Sequence, residues 1–177
     1  MDCKLAVSSL ALVAAACTSM QNPPAANVPD NLKPGANESV TIVAAARGVQ
    51  IYECKAAKDK ADAFEWSFVA PEAELLDAGG KKIGRHYAGP HWEANDGSKI
   101  VGTVKARADA PQADAIPWLL LATKSDGAQG SFSRITSVQR VNTVGGVAPE
   151  TGCSQSSLGT VVRIPYTADY YLLAEKN

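Results

Sequence analysis

Lys82-Ile83-Gly84-Arg85-His86-Tyr87-Ala88-Gly89-Pro90-His91-Trp92-Glu93-Ala94-Asn95-Asp96-Gly97-Ser98-Lys99-Ile100-Val101-Gly102 contains both histidines of the chain and one of its three tryptophans. It also carries two turn signals. Gly89-Pro90 bends the backbone, and Asn95-Asp96-Gly97-Ser98 marks a hairpin because Asp-Gly tolerates positive φ. Residues 82–87 precede the first signal and residues 99–107 follow the second as β-rich runs. Reversals this close together, joined by short β segments, point to antiparallel sheet.

The same period extends in both directions. Upstream, residues 39–45 and 48–54 are β-rich runs joined around Arg47-Gly48. In the second run Gln50, Tyr52 and Cys54 share one face while Val49 and Ile51 take the other. Phe64, Trp66 and Phe68 alternate with Glu65 and Ser67 as a half-buried strand that Pro71 is expected to end. Ala78-Gly79-Gly80 turns the chain back toward Lys82. Downstream, residues 116–123 form the most apolar run, residues 132–142 continue in β-type residues, and 160–164 and 166–173 close the domain. No segment beyond Glu38 sustains a 3.6-residue period. The expectation is an all-β domain over residues 38–177, a single antiparallel sandwich or barrel-like fold of about nine or ten short strands.

Before that domain the sequence reads as address and tether. Lys4 precedes a 12-residue apolar run, residues 5–16, which ends in Ala14-Ala15-Ala16 ahead of Cys17. The run is shorter than the about 20 residues that span a bilayer. Residues 1–16 are therefore expected to be a signal peptide. The approach to Cys17 resembles a bacterial lipobox, which makes Cys17 the expected lipidated residue and places the protein at the cell envelope. It would face the periplasm, at the outer membrane in preference to the inner. A secreted or soluble periplasmic protein is the alternative. Residues 17–37 hold Pro23, Pro24, Pro29 and Pro34 among small and polar residues, a composition that favours an extended tether. With Cys3 in the signal and Cys17 committed to lipid, Cys54 and Cys153 remain to form a disulfide in an oxidising compartment.

Composition limits the partners. Seventeen Lys and Arg stand against 18 Asp and Glu, for a net charge of −1. No basic stripe is present, so nucleic acid is not an expected partner. The membrane, through the anchor, is.

The residues Arg47-Gly48-Val49-Gln50-Ile51-Tyr52-Glu53-Cys54, His86-Tyr87-Ala88-Gly89-Pro90, Trp92-Glu93, Asp96-Gly97-Ser98, Ile116-Pro117-Trp118-Leu119-Leu120-Leu121, Gln139-Arg140-Val141-Asn142-Thr143-Val144-Gly145-Gly146, Gly152-Cys153 and Pro165-Tyr166-Thr167-Ala168-Asp169-Tyr170 occur in that order. Together they resemble a bacterial and fungal family catalogued as domain of unknown function 3455, over about residues 39–173. The resemblance implies no activity. Some fungal members carry a malate dehydrogenase label, but this chain has no strand–Gly-x-Gly-x-x-Gly–helix unit for a dinucleotide, and no cofactor is expected.

Three constellations carry candidate chemistry. His86, His91 and Glu93 could ligate zinc or copper, though the spacing is a weak signature and the bend leaves side-chain directions open. Arg140, on a β segment with Val138 and Val141, needs a carboxylate or carbonyl partner if it is buried; Glu53, Glu93 and Asp169 are the candidates. The same guanidinium could instead receive an anionic or sugar ligand. Trp92, Tyr52, Tyr87, Tyr166 and Tyr170 could form a ligand platform or pack as core. The Asp96-Gly97-Ser98 turn offers too few oxygens for calcium.

The expected function is non-catalytic binding of a small polar ligand, glycan or envelope partner, at a site drawn from Gln50, Tyr52, His86, Trp92, Arg140 and Asn142. The alternatives are a metal-dependent or hydrolytic enzyme using His86, and a purely structural envelope protein.

Overall fold

Runs rich in Val, Ile, Thr and aromatic residues become eight strands in a computed structural model, which describes residues 27–58, 60 and 62–176. The expected signal peptide, Cys17 and residues 18–26 of the expected tether lie outside the described residues. The strands are β1 (Glu38–Ala56), β2 (Phe64–Leu76), β3 (Lys82–Tyr87), β4 (His91–Ala94), β5 (Lys99–Ala108), β6 (Trp118–Ser125), β7 (Ser137–Gly145) and β8 (Val161–Glu175). Each is antiparallel to the next, and β8 returns to pair with β1, closing a barrel. The fold is all-β, as the period-two pattern requires, and closure leaves a barrel rather than a sandwich.

The strands are fewer and longer than the nine or ten expected. Residues 39–45 and 48–54 are one strand, continuous through Gly48, where an added Cβ would lie 2.0 Å from the Glu72 carbonyl oxygen. The glycine thus bends β1 across β2 instead of interrupting it. Likewise 160–164 and 166–173 merge into β8. Pro71 does not end β2. It sits beside an irregularity in which Ile51 pairs with Ala70 and Tyr52 with Phe68, leaving Val69 unpaired. It also lies before the first β3 partner, Ala73. Both are places where proline's missing N–H is tolerated.

Alternation sorts the side chains into two cores. Ala44, Ala46, Leu75, Trp92, Ile100, Phe132, Tyr170 and Leu172 fill the barrel interior. Trp118, Leu120, Val141, Tyr171 and Leu173 point outward, yet they are buried because residues 28–32 pack across them. Leu32 is fully buried there, its carbonyl accepting a hydrogen bond from Gln139 Nε2 at 2.8 Å. Burying one leucine contributes about 1.5–3 kcal/mol. The last part of the stretch expected to be a free tether is therefore docked onto the barrel wall. On the opposite wall the outer face carries Arg163–Glu72, Lys82–Glu74 and Arg85–Glu93 ion pairs. A lipid-facing strand surface would carry an apolar band there instead.

The two barrel ends differ. Loop 126–136 crosses one of them and pushes Phe132 inside. At the other end Cys54 and Cys153 form the expected disulfide, S–S 2.00 Å and Cα–Cα 5.3 Å. Closing a loop of this size stabilises by up to ~4.7 kcal/mol on the chain-entropy model. The barrel also has a notch. The β3–β4 hairpin is short: β2 meets β3 only from Ala73, and β4 meets β5 only at residues 99–101. The first half of β2 and the second half of β5 thus flank an opening above the Gly89-Pro90 turn, rimmed by the exposed side chains of Phe68, Val69 and Val104.

Candidate functional site

The notch and the disulfide-bearing end lead to one connected space. An inner chamber of about 180 Å³ is lined by Gln50, Pro71, His86, Trp92, Leu121 and Tyr170 among others. An outer groove of about 790 Å³ is lined by Tyr52, Arg107, Pro117 and Val147 among others. Gln50, Phe68, Leu119 and Arg140 line both, so they stand at the junction.

Register explains this convergence. His86 faces Trp92 across the β3–β4 hairpin, and Arg140 pairs with both Tyr170 and Leu119. All five side chains take the inward face. The His86 and Trp92 rings stack with centroids 4.4 Å apart, and Tyr170 meets them edge-on at 5.1 and 5.6 Å. Gly102 makes room for the indole, since a Cβ there would lie 2.8 Å from Trp92 Cζ3.

His86 is buried, and its Nδ1–H donates to the His91 carbonyl at 2.8 Å. The ring is therefore neutral with Nε2 as its acceptor. Burial is the main cause of a pKa pushed down to about 3; the nearby Arg140 and His91 charges act in the same direction, against the carbonyl hydrogen bond. Burial likewise raises the Tyr166 and Tyr170 hydroxyls well above their usual range, so both stay protonated. Tyr52 donates to the Gly146 carbonyl at 2.6 Å and pins the loop after β7 to the groove.

Arg140 does not meet the carboxylate partners expected for it. Glu53 pairs with Lys55, Glu93 with Arg85, and Asp169 accepts from Asn142. Its Nε and Nη2 both donate to the Pro117 carbonyl, at 3.1 and 2.8 Å, and the Tyr170 hydroxyl lies beside it. No ion pair to Arg140 forms among the described residues. Other donors nearby are also unanswered. Among the described residues Gln50 Nε2 and Trp92 Nε1 are buried without a hydrogen-bond partner, although Gln50 lies near the Tyr166 hydroxyl.

Five of the six candidate residues thus share one space: Gln50, Tyr52, His86, Trp92 and Arg140. Asn142 does not. The β7–β8 register shifts between Val141 and Val144, and Asn142 takes φ 51°. Its side chain ends on the outer surface, donating to Asp169 at 2.8 Å. The bulge breaks the parity that would have put it beside Arg140.

The candidate metal trio is separated as well. His86 is inside. His91 is outside, stacked on Tyr87, with Nδ1 against the Ala88 carbonyl and Nε2 3.1 Å from Asp126. Glu93 accepts hydrogen bonds from Arg85 and Tyr87. Among the described residues no group of three His, Cys, Asp or Glu side chains is placed to hold a metal. Of the five candidate platform aromatics, Trp92, Tyr166 and Tyr170 lie in the barrel, Tyr52 at the groove and Tyr87 outside.

A second depression, about 770 Å³, lies at the opposite end between Thr41, Ile83, Asp96 and Phe132. Its carboxylates are answered within the protein, Asp169 by Asn142. Asp96 accepts from the N–H and hydroxyl of both Ser98 and Ser131, and Asp77 accepts from the N–H of Gly79 and Lys81. The junction around Arg140 is the better site because its donors are still open to a ligand.

Leu119, Leu121, Phe68 and the Pro117 carbonyl belong to the site without any local pattern that singles them out. An inward parity count from Trp118-Leu119-Leu120-Leu121 is the one available signal, and it does not say which alternate face is the barrel's inside.

The family described as "Protein of unknown function (DUF3455)" matches residues 34–174, and the chain belongs to it. No curated protein and no solved structure matches.

Proposed function

We propose that this member of a family of unknown function is an exported cell-envelope lipoprotein whose barrel binds a small ligand without transforming it. The observation that carries the binding half is the junction: a charged guanidinium and two buried N–H donors border an apolar chamber that opens to solvent. Buried polar groups are ordinarily paired, and unanswered ones clustered in a cavity mark where a ligand supplies the partner. A purely structural barrel would gain by answering or replacing them.

Catalysis by His86 fits less well. An imidazole with its pKa near 3 is a weak base at neutral pH, and its Nδ1 is oriented by a backbone carbonyl rather than a carboxylate. The export half rests on the apolar run 5–16 ahead of Cys17 and on a disulfide suited to an oxidising compartment.

Two measurements test these halves. The neutral, apolar fluorophore N-phenyl-1-naphthylamine, with its phenyl ring in the chamber and its naphthyl group in the outer groove, should brighten on binding, and Leu121→Trp, which fills the chamber, should abolish the signal in a protein that still unfolds cooperatively. Equal binding by that variant would remove the chamber as the site. Partition into detergent should be lost on Cys17→Ala; unchanged partition would remove the anchor.

A further inference from the structure

We propose, resting on the chamber as the binding site, that the ligand is a small organic monocarboxylate with a flat apolar ring. Its carboxylate sits on Arg140 and its ring lies against the His86–Trp92–Tyr170 cluster.

The sign of the charge comes first. Among the described residues no Asp or Glu lines the inner chamber, and the one charged side chain there is Arg140. His86 is neutral. A cationic ligand would meet an unopposed guanidinium, whereas an anion would complete an ion pair that the protein leaves open.

Geometry then selects the anion. Arg140 uses its Nε/Nη2 edge on the Pro117 carbonyl. The Nη1/Nη2 edge, which the Tyr170 hydroxyl also approaches, has two parallel N–H bonds at the spacing that receives a carboxylate in bidentate fashion. Gln50 Nε2, buried and without a partner, stands at the same junction and adds a neutral donor. The Tyr170 hydroxyl beside the guanidinium adds another. A phosphate dianion would bring two charges to one cation and leave the second desolvated in an apolar space.

Size and lining decide the body. An apolar cavity of about 150 Å³ takes one benzene. The chamber, about 180 Å³, therefore holds a single ring with little beyond it. Leu119, Leu121, Pro71 and the three aromatic rings supply dispersion contacts, and the Trp92 Nε1–H adds one further donor at the wall. Any extension of the ligand would pass the junction into the outer groove.

The test compares two isosteres, cinnamate and cinnamamide, by calorimetric titration of the purified full-length protein at neutral pH. A bidentate charge-assisted pair predicts about ten-fold tighter binding of cinnamate. Arg140→Met should bring the two within about two-fold of each other while N-phenyl-1-naphthylamine still binds, and Arg140→Lys should retain part of the preference because it keeps a point charge without the fork. Equal binding of cinnamate and cinnamamide by the unaltered protein, with the neutral fluorophore still bound, would overturn the carboxylate assignment and leave the chamber intact. A ten-fold preference surviving in Arg140→Met would place the anion elsewhere and overturn it too. Failure of the unaltered protein to bind even the neutral fluorophore would remove the chamber, and the carboxylate with it. Should Arg140→Met not fold, the comparison in the unaltered protein and Arg140→Lys still decide.

Discussion

The two ends of the barrel are built from the same strands and treat polar groups in opposite ways. At the end crossed by loop 126–136, the Asp96 carboxylate accepts four hydrogen bonds from Ser98 and Ser131, and the Ser98 hydroxyl in turn accepts the Phe132 N–H. Those hydrogen bonds hold the Asp96 carboxyl well below the usual carboxylate range. Phe132 is plugged into the interior behind them. At the other end Arg140, Gln50 and Trp92 present donors that the described residues leave wholly or partly unanswered, around an open space of about 180 Å³. The first end is closed by completing its own chemistry; the second is kept open by leaving it incomplete. Here one end is sealed by its own hydrogen bonds and its plug, and a ligand can enter only where sealing has been withheld.

The sharpest way to break that comparison is to truncate a large aromatic side chain at each end. Phe132 is 1% exposed, and Phe132→Ala should cost about 3–5 kcal/mol, read as a lower urea midpoint. Phe68, at the notch, is 56% exposed and touches Tyr52 edge-on. Phe68→Ala should cost no more than about 1 kcal/mol and act on ligand binding instead. Similar losses at the two sites would mean that the notch is part of the stabilising core, and the contrast between the ends would fall.

How far this division is legible in the sequence depends on which physical signal is local. The parity of Gln50, Tyr52 and Cys54 and the hairpin at Asp96-Gly97 are short-range facts, the pairing of two late cysteines follows from counting, and each holds in the structure. The convergence of His86 with Trp92 also follows from one hairpin's register. The departures are tertiary. Asn142 leaves the site because a bulge resets the alternation, and Arg140 loses its expected acids because each of them finds a nearer partner. Pro71 passes through β2 because the strand on its far side is too short to demand an N–H. Leu32 sits in a proline-rich stretch, and nothing in such a stretch announces that a barrel wall awaits it.

A second test uses protons. His86 has its pKa lowered from 6.5 to about 3 in the folded chain, chiefly by burial. The unfolded chain therefore binds more protons between those values, so stability is full above about pH 6.5 and falls as pH drops toward 3. Each pH unit between the two values is worth about 1.36 kcal/mol, which sets a ceiling of a few kcal/mol. Glu38, Glu93, Asp96 and Asp126, all held low in the folded chain, add their own loss of stability as pH falls into the carboxylate range, so the histidine is read from the part of the profile above that range. His86→Phe keeps a ring against Trp92 and should flatten that part of a urea-midpoint profile. An unchanged slope would show that water already reaches the imidazole in the resting protein.

The smallest effect is the most discriminating. Gln50 is 3% exposed, and among the described residues its Nε2 has no hydrogen-bond partner, so that end of its amide is desolvated without full return. Gln50→Leu, close in volume, removes that demand and should change stability by no more than about 1 kcal/mol, in the stabilising direction where the lost desolvation outweighs the lost contact with Tyr166. A matching change at Asp96 or Ser98 in the sealed end could not be neutral, since each has partners to orphan. Binding should move the other way: cinnamate affinity should fall several-fold in Gln50→Leu while the neutral fluorophore is retained or held more tightly, because the chamber has become more apolar. Stability and ligand affinity measured on this one variant therefore separate a residue kept for the barrel from one kept for its contents. A large loss of stability with unchanged cinnamate binding would assign Gln50 to the wall, through its neighbour Tyr166, and would shrink the open end to Arg140 alone.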